Sequence, residues 1–172
     1  AGKTTEYLSS FFASHIAVAR IFPNLNAKVN AAVSAFCGNK KVTPEQMQFT
    51  RRCCESFGSA YEVSEDIIGI FGVLGGCAPA YTFYYIRALA KAAIAAGMDE
   101  KMAFDVAAKM TEGSAKLLSS SDESADSLIQ KVCSPGGTTI EGIRSLEQNQ
   151  VDQLLSQAFR ASLNRDIELS KQ

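Results

Sequence analysis

The most informative stretch of the chain runs Val132-Cys133-Ser134-Pro135-Gly136-Gly137-Thr138-Thr139-Ile140-Glu141-Gly142-Ile143, and it predicts a loop that continues into a helix. Pro135 fixes φ and has no amide donor, while Gly136 and Gly137 allow a tight bend with close access to the main chain. Thr138 can cap the helix, and Glu141 three residues later can complete a capping box. Because the first amides of a helix have no intrahelical partner, the stretch is either an anion site or an ordinary capped helix start.

A family resemblance favours the anion site. Ser134 through Thr139, with Ile140, Gly142 and Leu146-Glu147, resembles the signature of the pyrroline-5-carboxylate reductases, which catalyse the last step of proline biosynthesis. Two further runs fit the same family: Arg20-Ile21-Phe22-Pro23-Asn24 resembles its Arg-x-Met-Pro-Asn, and Pro79-Ala80-Tyr81 resembles the end of its Gly-Ser-Gly-Pro-Ala-Tyr. The resemblance covers nearly the whole chain but only the later part of the family's sequence.

Composition describes a globular chain without a charge bias. Of 172 residues, 47% are hydrophobic and 20% are charged, which is typical of a folded domain with a core. A formal net charge of −1 gives no basic field for nucleic acid or an anionic membrane, which excludes those partners. The five cysteines have no zinc-like spacing and there is one histidine, so we predict reduced thiols in a cytoplasmic protein and no metal site.

Two other features concern targeting and the chain ends. The uncharged run from Ile67 to Ile86 is long enough to cross a bilayer, but Gly75-Gly76 and Pro79 interrupt it, so we predict two short elements instead. The chain opens on Ala1-Gly2 with no initiator methionine and no signal segment. We therefore expect the interior of a longer gene product or a cleaved product.

Hydrophobic periodicity and capping signals divide the chain into a small mixed region followed by a helical one. Helices are predicted over residues 4–13, 43–57, 78–96, 99–119, 124–132, 140–146 and 151–169, with a helical segment starting at 64–66, and strands over 16–22, 29–37 and 60–63. The helix over 78–96 is apolar nearly all round, which indicates burial on every side, with one face covered by a partner subunit.

The resemblance supplies a fold class and domain boundaries. The expected fold is mainly α: residues 1–63 would be the end of an NAD(P)-binding Rossmann-type domain, and residues 64–172 a helical dimerisation and substrate-binding domain of the 6-phosphogluconate dehydrogenase C-terminal type. The Rossmann part is incomplete, because the chain contains no Gly-x-Gly-x-x-Gly turn for a pyrophosphate.

Substrate-binding residues also follow from the resemblance. It places the substrate carboxylate on the amides of Gly136, Gly137 and Thr138, with Ser134 in the same turn, and the ring nitrogen on the hydroxyl of Thr139. It also implies a catalytic role for Asp122, whose carboxylate could stabilise or relay the proton on the imine nitrogen. A solvated helix cap is an equally good interpretation of Asp122.

Cofactor contacts are implied at Asn24, Gly76, Cys77 and Pro79. The family has Ser-Gly-Ser-Gly-Pro where this chain has Gly75-Gly76-Cys77-Ala78-Pro79, so two hydroxyls are lost and a β-carbon is added. If the family glycine supplies a positive φ, Ala78 would resist it. This difference puts catalytic competence in question, while Asn24 is as readily interpreted as part of a strand-end turn.

The resemblance implies hydride transfer from NADPH or NADH to the imine of pyrroline-5-carboxylate, giving proline. Since the phosphate-binding half is missing, we expect no turnover by this chain alone. A non-enzymatic dimerisation module is the competing hypothesis, and the helical domain of another dehydrogenase is a weaker third. We expect a homodimer through the 78–96 helix and the final helix, burying more than about 2,000 Å², which could assemble further.

Overall fold

The chain folds as a small sheet followed by a series of helices, as the sequence predicts. The structure is a computed structural model that describes residues 2–12 and 15–171. The elements are α1 (Thr5–Ser9), β1 (Ala19–Phe22), a 3₁₀ helix (Leu25–Val29), β2 (Ala32–Gly38), α2 (Pro44–Glu55), β3 (Gly58–Glu62), α3 (Ile68–Phe71), a π-helix (Gly72–Cys77), α4 (Ala78–Ala95), α5 (Glu100–Ser119), α6 (Ala125–Val132), α7 (Thr138–Gln148) and α8 (Val151–Ser170). The mainly α fold class is confirmed. The predicted end of the first helix, at residue 13, lies outside the described residues.

The sheet is a three-stranded one in the order β1-β2-β3. β1 runs antiparallel to β2, whereas β2 and β3 are parallel. Parallel neighbours need a crossover connection, and α2 provides it. β2 is the central strand, and all of its residues from Ala32 to Cys37 except Val33 are buried.

Local capping determines where α2 begins. Thr43 Oγ1 accepts from the Gln46 amide at 3.3 Å, and Gln46 Oε1 accepts from the Thr43 amide at 2.9 Å. Pro44 occupies the first turn, where its missing donor costs nothing. The predicted start of this helix at Thr43 is therefore confirmed.

The strand predicted over 29–37 is wrong in its first residues. Leu25–Val29 is a 3₁₀ helix, which Asn24 caps, and Asn30 follows it with a left-handed φ of 56°. β2 therefore begins only at Ala32. Alternation of hydrophobic residues could not show this, because short polar caps override strand propensity locally.

Two compact units are present, each with its own core. The first comprises residues 1–79 and 156–172, and its core groups Ala35, Cys37 and Ile68 with Phe22, Val63 and Phe71. The second comprises residues 80–155, and its core is built on Ala90, Ala103 and Ala107, where α4 meets α5 through small side chains. The first unit extends past the boundary predicted at residue 63 because α3 packs on the sheet.

The predicted interruption at Gly75-Gly76 and Pro79 is wrong. Residues 68–95 are helical without a break, because α3, the π-helix and α4 follow one another directly. Across residues 2–12 and 15–171, there is no helix with the length and apolarity required to cross a membrane.

One buried hydroxyl in the sheet gives a stability prediction. Ser34 Oγ in β2 is fully buried and has no hydrogen-bond partner among the described residues. An unsatisfied buried polar group costs about 1–3 kcal/mol. We therefore expect Ser34→Ala to raise the free energy of unfolding, measured by urea denaturation. The control is the same change at Ser124, which caps α6 by accepting from Ser127 N at 3.1 Å, where a loss of about 1 kcal/mol is expected. Destabilisation by Ser34→Ala would contradict this account.

Candidate functional site

The connection between α6 and α7 is a tight turn with the features of type II. Gly137 N donates to Ser134 O at 3.0 Å, Pro135 occupies the second position, and Gly136 the third with φ +69°. A β-carbon on Gly137 would clash with Ser134 Oγ. The two glycines are therefore needed for different reasons: Gly136 adopts a left-handed backbone conformation, and Gly137 leaves room for the side chain of Ser134.

The predicted capping box at α7 is wrong by one residue. Gly137, with φ −80° and ψ 171°, is the N-cap, and no side chain caps the helix. Thr138 is already the first helical residue, so the third position is Ile140, which cannot reach back to the cap. Glu141 instead pairs with Arg144, Oε1 to Nη1, at 2.5 Å.

The first amides of α7 are consequently open. In the part of the chain that the structure describes, no oxygen accepts from the amides of Thr138, Thr139 or Ile140. By contrast, the side chains of Thr43, Asp99 and Ser124 accept from amides at the starts of α2, α5 and α6. Ser134, Pro135, Gly136 and Thr138 are exposed and Thr139 is half-buried. The start of α7 thus offers unpaired donors and a hydroxyl to solvent, at the positive end of a helix dipole.

Asp122 lies away from this turn within the second unit. It precedes the N-terminus of α6, whereas the turn follows the C-terminus of that helix, which is roughly 12 Å long. Asp122 is exposed and is not the cap, since Ser124 caps α6. The adjacent Glu123 is already engaged: hydrogen bonds from Lys131 and Ser127 lower the pKa of its carboxyl.

The four residues predicted to contact a cofactor come together in the first unit. Asn24 Oδ1 accepts from the amides of Asn26 at 3.2 Å and Val33 at 3.3 Å, and its Nδ2 donates to Gly75 O at 2.8 Å. Gly76 and Cys77 end the π-helix that this bond reaches, and Pro79 is the second residue of α4. Asn24 therefore connects the end of β1 to the glycine segment.

The glycines of the π-helix are there for space, not for unusual dihedral angles. A β-carbon on Gly72 or Gly76 would approach ring atoms of Phe22 to 2.8 or 2.7 Å. Ala78 has φ −63°, in the right-handed helical region, so the predicted strain from its β-carbon is wrong. The missing glycine at residue 78 thus gives no backbone reason for a loss of function.

Cys77 borders a cavity of about 410 Å³. Phe22 and Val73 line one side of this cavity, and Arg165 and Leu169 of α8 line another. Two other thiols are inert by environment: burial, with a contribution from Glu65, raises the pKa of Cys37, and burial also raises the pKa of Cys54. In residues 2–12 and 15–171, no group of three His, Cys, Asp or Glu side chains is arranged to hold a metal ion.

Sequence reasoning missed the partner of Asn24. The signal was present in the spacing of Pro79 and Gly75, because a proline four residues after a glycine leaves that glycine's carbonyl without a helical donor. It could be recognised only if residues 68–95 were known to be one continuous helix, and the prediction placed a break there.

Comparisons with known proteins identify a family that the chain resembles in sequence and in fold. Residues 65–169 match the family model described as pyrroline-5-carboxylate reductase dimerisation. The pyrroline-5-carboxylate reductase of Escherichia coli K12 is 34% identical over 171 residues, which are 99% of this chain and 64% of that protein. The crystal structure of the 1-pyrroline-5-carboxylate reductase of Streptococcus pyogenes matches with a TM-score of 0.94 at 33% identity, over 98% of this chain and 65% of that one.

A third likeness concerns the fold alone. The Plasmodium falciparum pyrroline carboxylate reductase, crystallised with NADP bound, matches with a TM-score of 0.93 at 24% identity, over 98% of this chain and 68% of that one.

The chain spans somewhat less than two thirds of the length of the curated E. coli relative. The family model covers most of the chain, and it includes the open turn before α7. The chain belongs to the pyrroline-5-carboxylate reductase family.

Proposed function

We propose that residues 134–139 bind the carboxylate of pyrroline-5-carboxylate and of its product proline, and that the protein reduces the imine of this substrate. The observation that carries the proposal is the uncapped start of α7, where the amides of Thr138, Thr139 and Ile140 have no partner among the described residues. A carboxylate at such a site gains charge-assisted hydrogen bonds and a favourable helix dipole. Of the three amides implied by the resemblance, that of Gly137 is already used, because it donates to Ser134 O at 3.0 Å. Gly137 adds no side chain that would compete for the open amides.

The neighbouring residues are proposed to orient the ring. With the carboxylate on the α7 amides, the Thr139 hydroxyl is proposed to hydrogen-bond the ring nitrogen and so fix which carbon faces the reductant. NADPH or NADH supplies the hydride when bound. Cys77, which lines a cavity of about 410 Å³, is proposed to contact the nicotinamide end together with Gly76, Asn24 and Pro79. Residues 1–172 contain no Gly-x-Gly-x-x-Gly turn, so they provide no site of that kind for the pyrophosphate.

The cytoplasm is the proposed location, since the five cysteines, all described, form no disulfide.

The ring-nitrogen contact is tested by removing one hydroxyl. Thr139→Val should weaken binding of L-proline by about tenfold or more, because a hydrogen bond to a charged group contributes roughly 1.5–3 kcal/mol. Binding is measured by NMR titration, following the amide resonances of residues 136–140. Thr138→Val is the matched control at the adjacent position, where only the backbone amide is used, and should change the affinity less than about twofold. Equal effects of the two changes, or no shift of those amides with proline, would contradict the site.

Asp122 is proposed to stabilise the protonated imine. Its support is an exposed carboxylate with no hydrogen bond or ion pair in residues 2–12 and 15–171, although its place at the other end of α6 supports this role less than that of Thr139. In the active form of the protein, Asp122→Asn should lower kcat by about 10²-fold, with a smaller change in KM and a shifted pH profile. Glu123→Gln is the control, since Lys131 and Ser127 already engage Glu123. An unchanged kcat would leave Asp122 as a solvated surface residue.

A second copy of the chain is the proposed partner, and α5 carries a surface suited to it. Met102, Val106, Met110 and Leu117 are exposed at spacings that place them on one face of this helix, and Gly113 lies among them. Apart from its chain neighbours and the backbone of α5 itself, none of the described residues lies within 4 Å of a β-carbon built on Gly113. A glycine in an exposed helix interior costs about 1 kcal/mol relative to alanine. Close approach of another helix explains both the apolar face and the glycine, and residues 65–169 match a dimerisation domain.

Substitution at Gly113 separates this explanation from a purely local one. Gly113→Ala should raise the helix stability of the dissociated chain by about 1 kcal/mol, yet raise the dimer dissociation constant by tenfold or more. The two quantities are measured by urea unfolding at low concentration and by analytical ultracentrifugation. Glu112→Ala changes the adjacent residue on another face of α5 and should leave the dissociation constant unchanged. A dimer equally stable with alanine would remove Gly113 from the interface, and a monomer at micromolar concentration would remove the interface itself.

A further inference from the structure

Pro79 leaves one backbone carbonyl without its usual helical donor. In an α-helix, the amide of residue 79 would donate to the carbonyl four residues earlier, that of Gly75. Proline has no amide hydrogen, so this carbonyl needs another donor. Asn24 Nδ2 donates to it at 2.8 Å. A side chain that follows β1 therefore substitutes for a missing main-chain donor in the helix.

The substituted bond lies where the helix changes its register. Ala78 N donates to Val73 O, five residues earlier, which is the π-helical pattern. The next residue is Pro79, so the backbone itself cannot continue either register at that step. π-Helical turns are rare and occur frequently at functional sites. Asn24 instead donates to Gly75 O, the carbonyl that the amide of residue 79 would reach if the α-helical register resumed at that step.

The same run of chain holds the segment at a second point. Phe22, two residues before Asn24, packs its ring where β-carbons of Gly72 and Gly76 would lie, at 2.8 and 2.7 Å. The ring fixes one face of the π-helix and the Asn24 amide fixes a carbonyl. Cys77, at the end of the segment, lines the same cavity as Phe22 and Gly72. The position of Cys77 therefore depends on both anchors.

We propose that Asn24 is a positioning residue: by donating to the Gly75 carbonyl that Pro79 cannot satisfy, it keeps residues 72–77 in π-helical register and so sets where Gly76 and Cys77 present themselves to the nicotinamide end of the cofactor. The last clause rests on the proposed function. Asn24 acts here through the segment, and this role does not depend on its proposed contact with the cofactor, because three of its hydrogen bonds are made inside the protein.

A double-mutant cycle between Asn24 and Pro79 tests the register. Asn24→Asp keeps the size and the oxygen that accepts from Asn26 and Val33, but loses the donor to Gly75. It should speed hydrogen exchange of the Ala78 amide by at least about tenfold. Pro79→Ala returns an amide hydrogen to residue 79, so the double variant should recover most of that protection. Non-additive effects are the expected result, because the two groups serve the same carbonyl.

The chain offers a matched control in Asn39→Asp. Asn39 Nδ2 also donates to a backbone carbonyl, that of Ile16 at 3.1 Å, and its Oδ1 accepts from the Lys41 amide at 3.1 Å. Asn39→Asp should not change hydrogen exchange of the Ala78 amide, and Pro79→Ala should not reverse the effects of Asn39→Asp. If Pro79→Ala disturbs folding, alkylation of Cys77 by iodoacetamide, followed by mass spectrometry, gives a second measure: Asn24→Asp alone should change its rate at least about threefold. Unchanged exchange at Ala78 and unchanged alkylation in Asn24→Asp, or strictly additive effects in the cycle, would overturn the proposal.

A kinetic measurement distinguishes failure of the positioning from failure of the proposed function. In the active form of the protein, Asn24→Asp should raise KM for NADPH more than KM for pyrroline-5-carboxylate, and Pro79→Ala should reverse this difference. If the register changes at Ala78 but KM for NADPH does not, the cofactor role of Gly76 and Cys77 is overturned. If neither changes, the register was never held by Asn24.

Discussion

Backbone amides and carbonyls need a hydrogen-bond partner in the protein, in water or in a ligand, and two segments of this chain that contain proline and glycine lack a main-chain partner in opposite ways. At Gly75 and Pro79, the missing amide leaves a carbonyl in need, and Asn24 satisfies it from within the fold at 2.8 Å. Before α7, Pro135 and Gly136 form a turn whose glycine N-cap leaves amides in need, and nothing in the described residues satisfies them. The first site is complete without a ligand, and the second gains most from an external anion.

The open site depends on the residue that is absent from its cap. A serine, threonine or aspartate at position 137 would bend its oxygen onto the following amides, as Thr43, Asp99 and Ser124 do elsewhere. Such a cap would compete with a substrate carboxylate for the same donors. Gly137 avoids this competition and also avoids Ser134 Oγ, so one residue serves both the turn and the proposed ligand site. α7 is left without a side-chain cap. The open amides lower the stability of this helix but remain free to bind an anion.

Local signals in the sequence were sufficient where the structure is itself local. Thr43, Pro44 and Gln46 predict the start of α2 because every interaction that defines this start lies within four residues. The start of β2 could not be predicted in the same way, since it depends on Asn24 reaching across to Val33 and on a left-handed Asn30. The resemblance found the candidate site residues, but it could not show their contacts. The strain expected at Ala78 is absent because its segment is helical, a fact that only the continuity from α3 to α4 reveals.

Hydrophobic pattern also fails to distinguish burial in a core from burial by a partner. α4 is apolar nearly all round, yet in the single chain Ala90 is its buried residue, while Phe83, Tyr84 and Tyr85 are about half exposed or more. Arg87 of α4 stacks over the Tyr84 ring at 4.7 Å and so keeps its charge beside an aromatic surface. Monomeric proteins rarely leave apolar surface of this kind in water. The composition of α4 therefore fits the proposed second copy of the chain better than the core of its own unit, which is built from alanines where α4 meets α5.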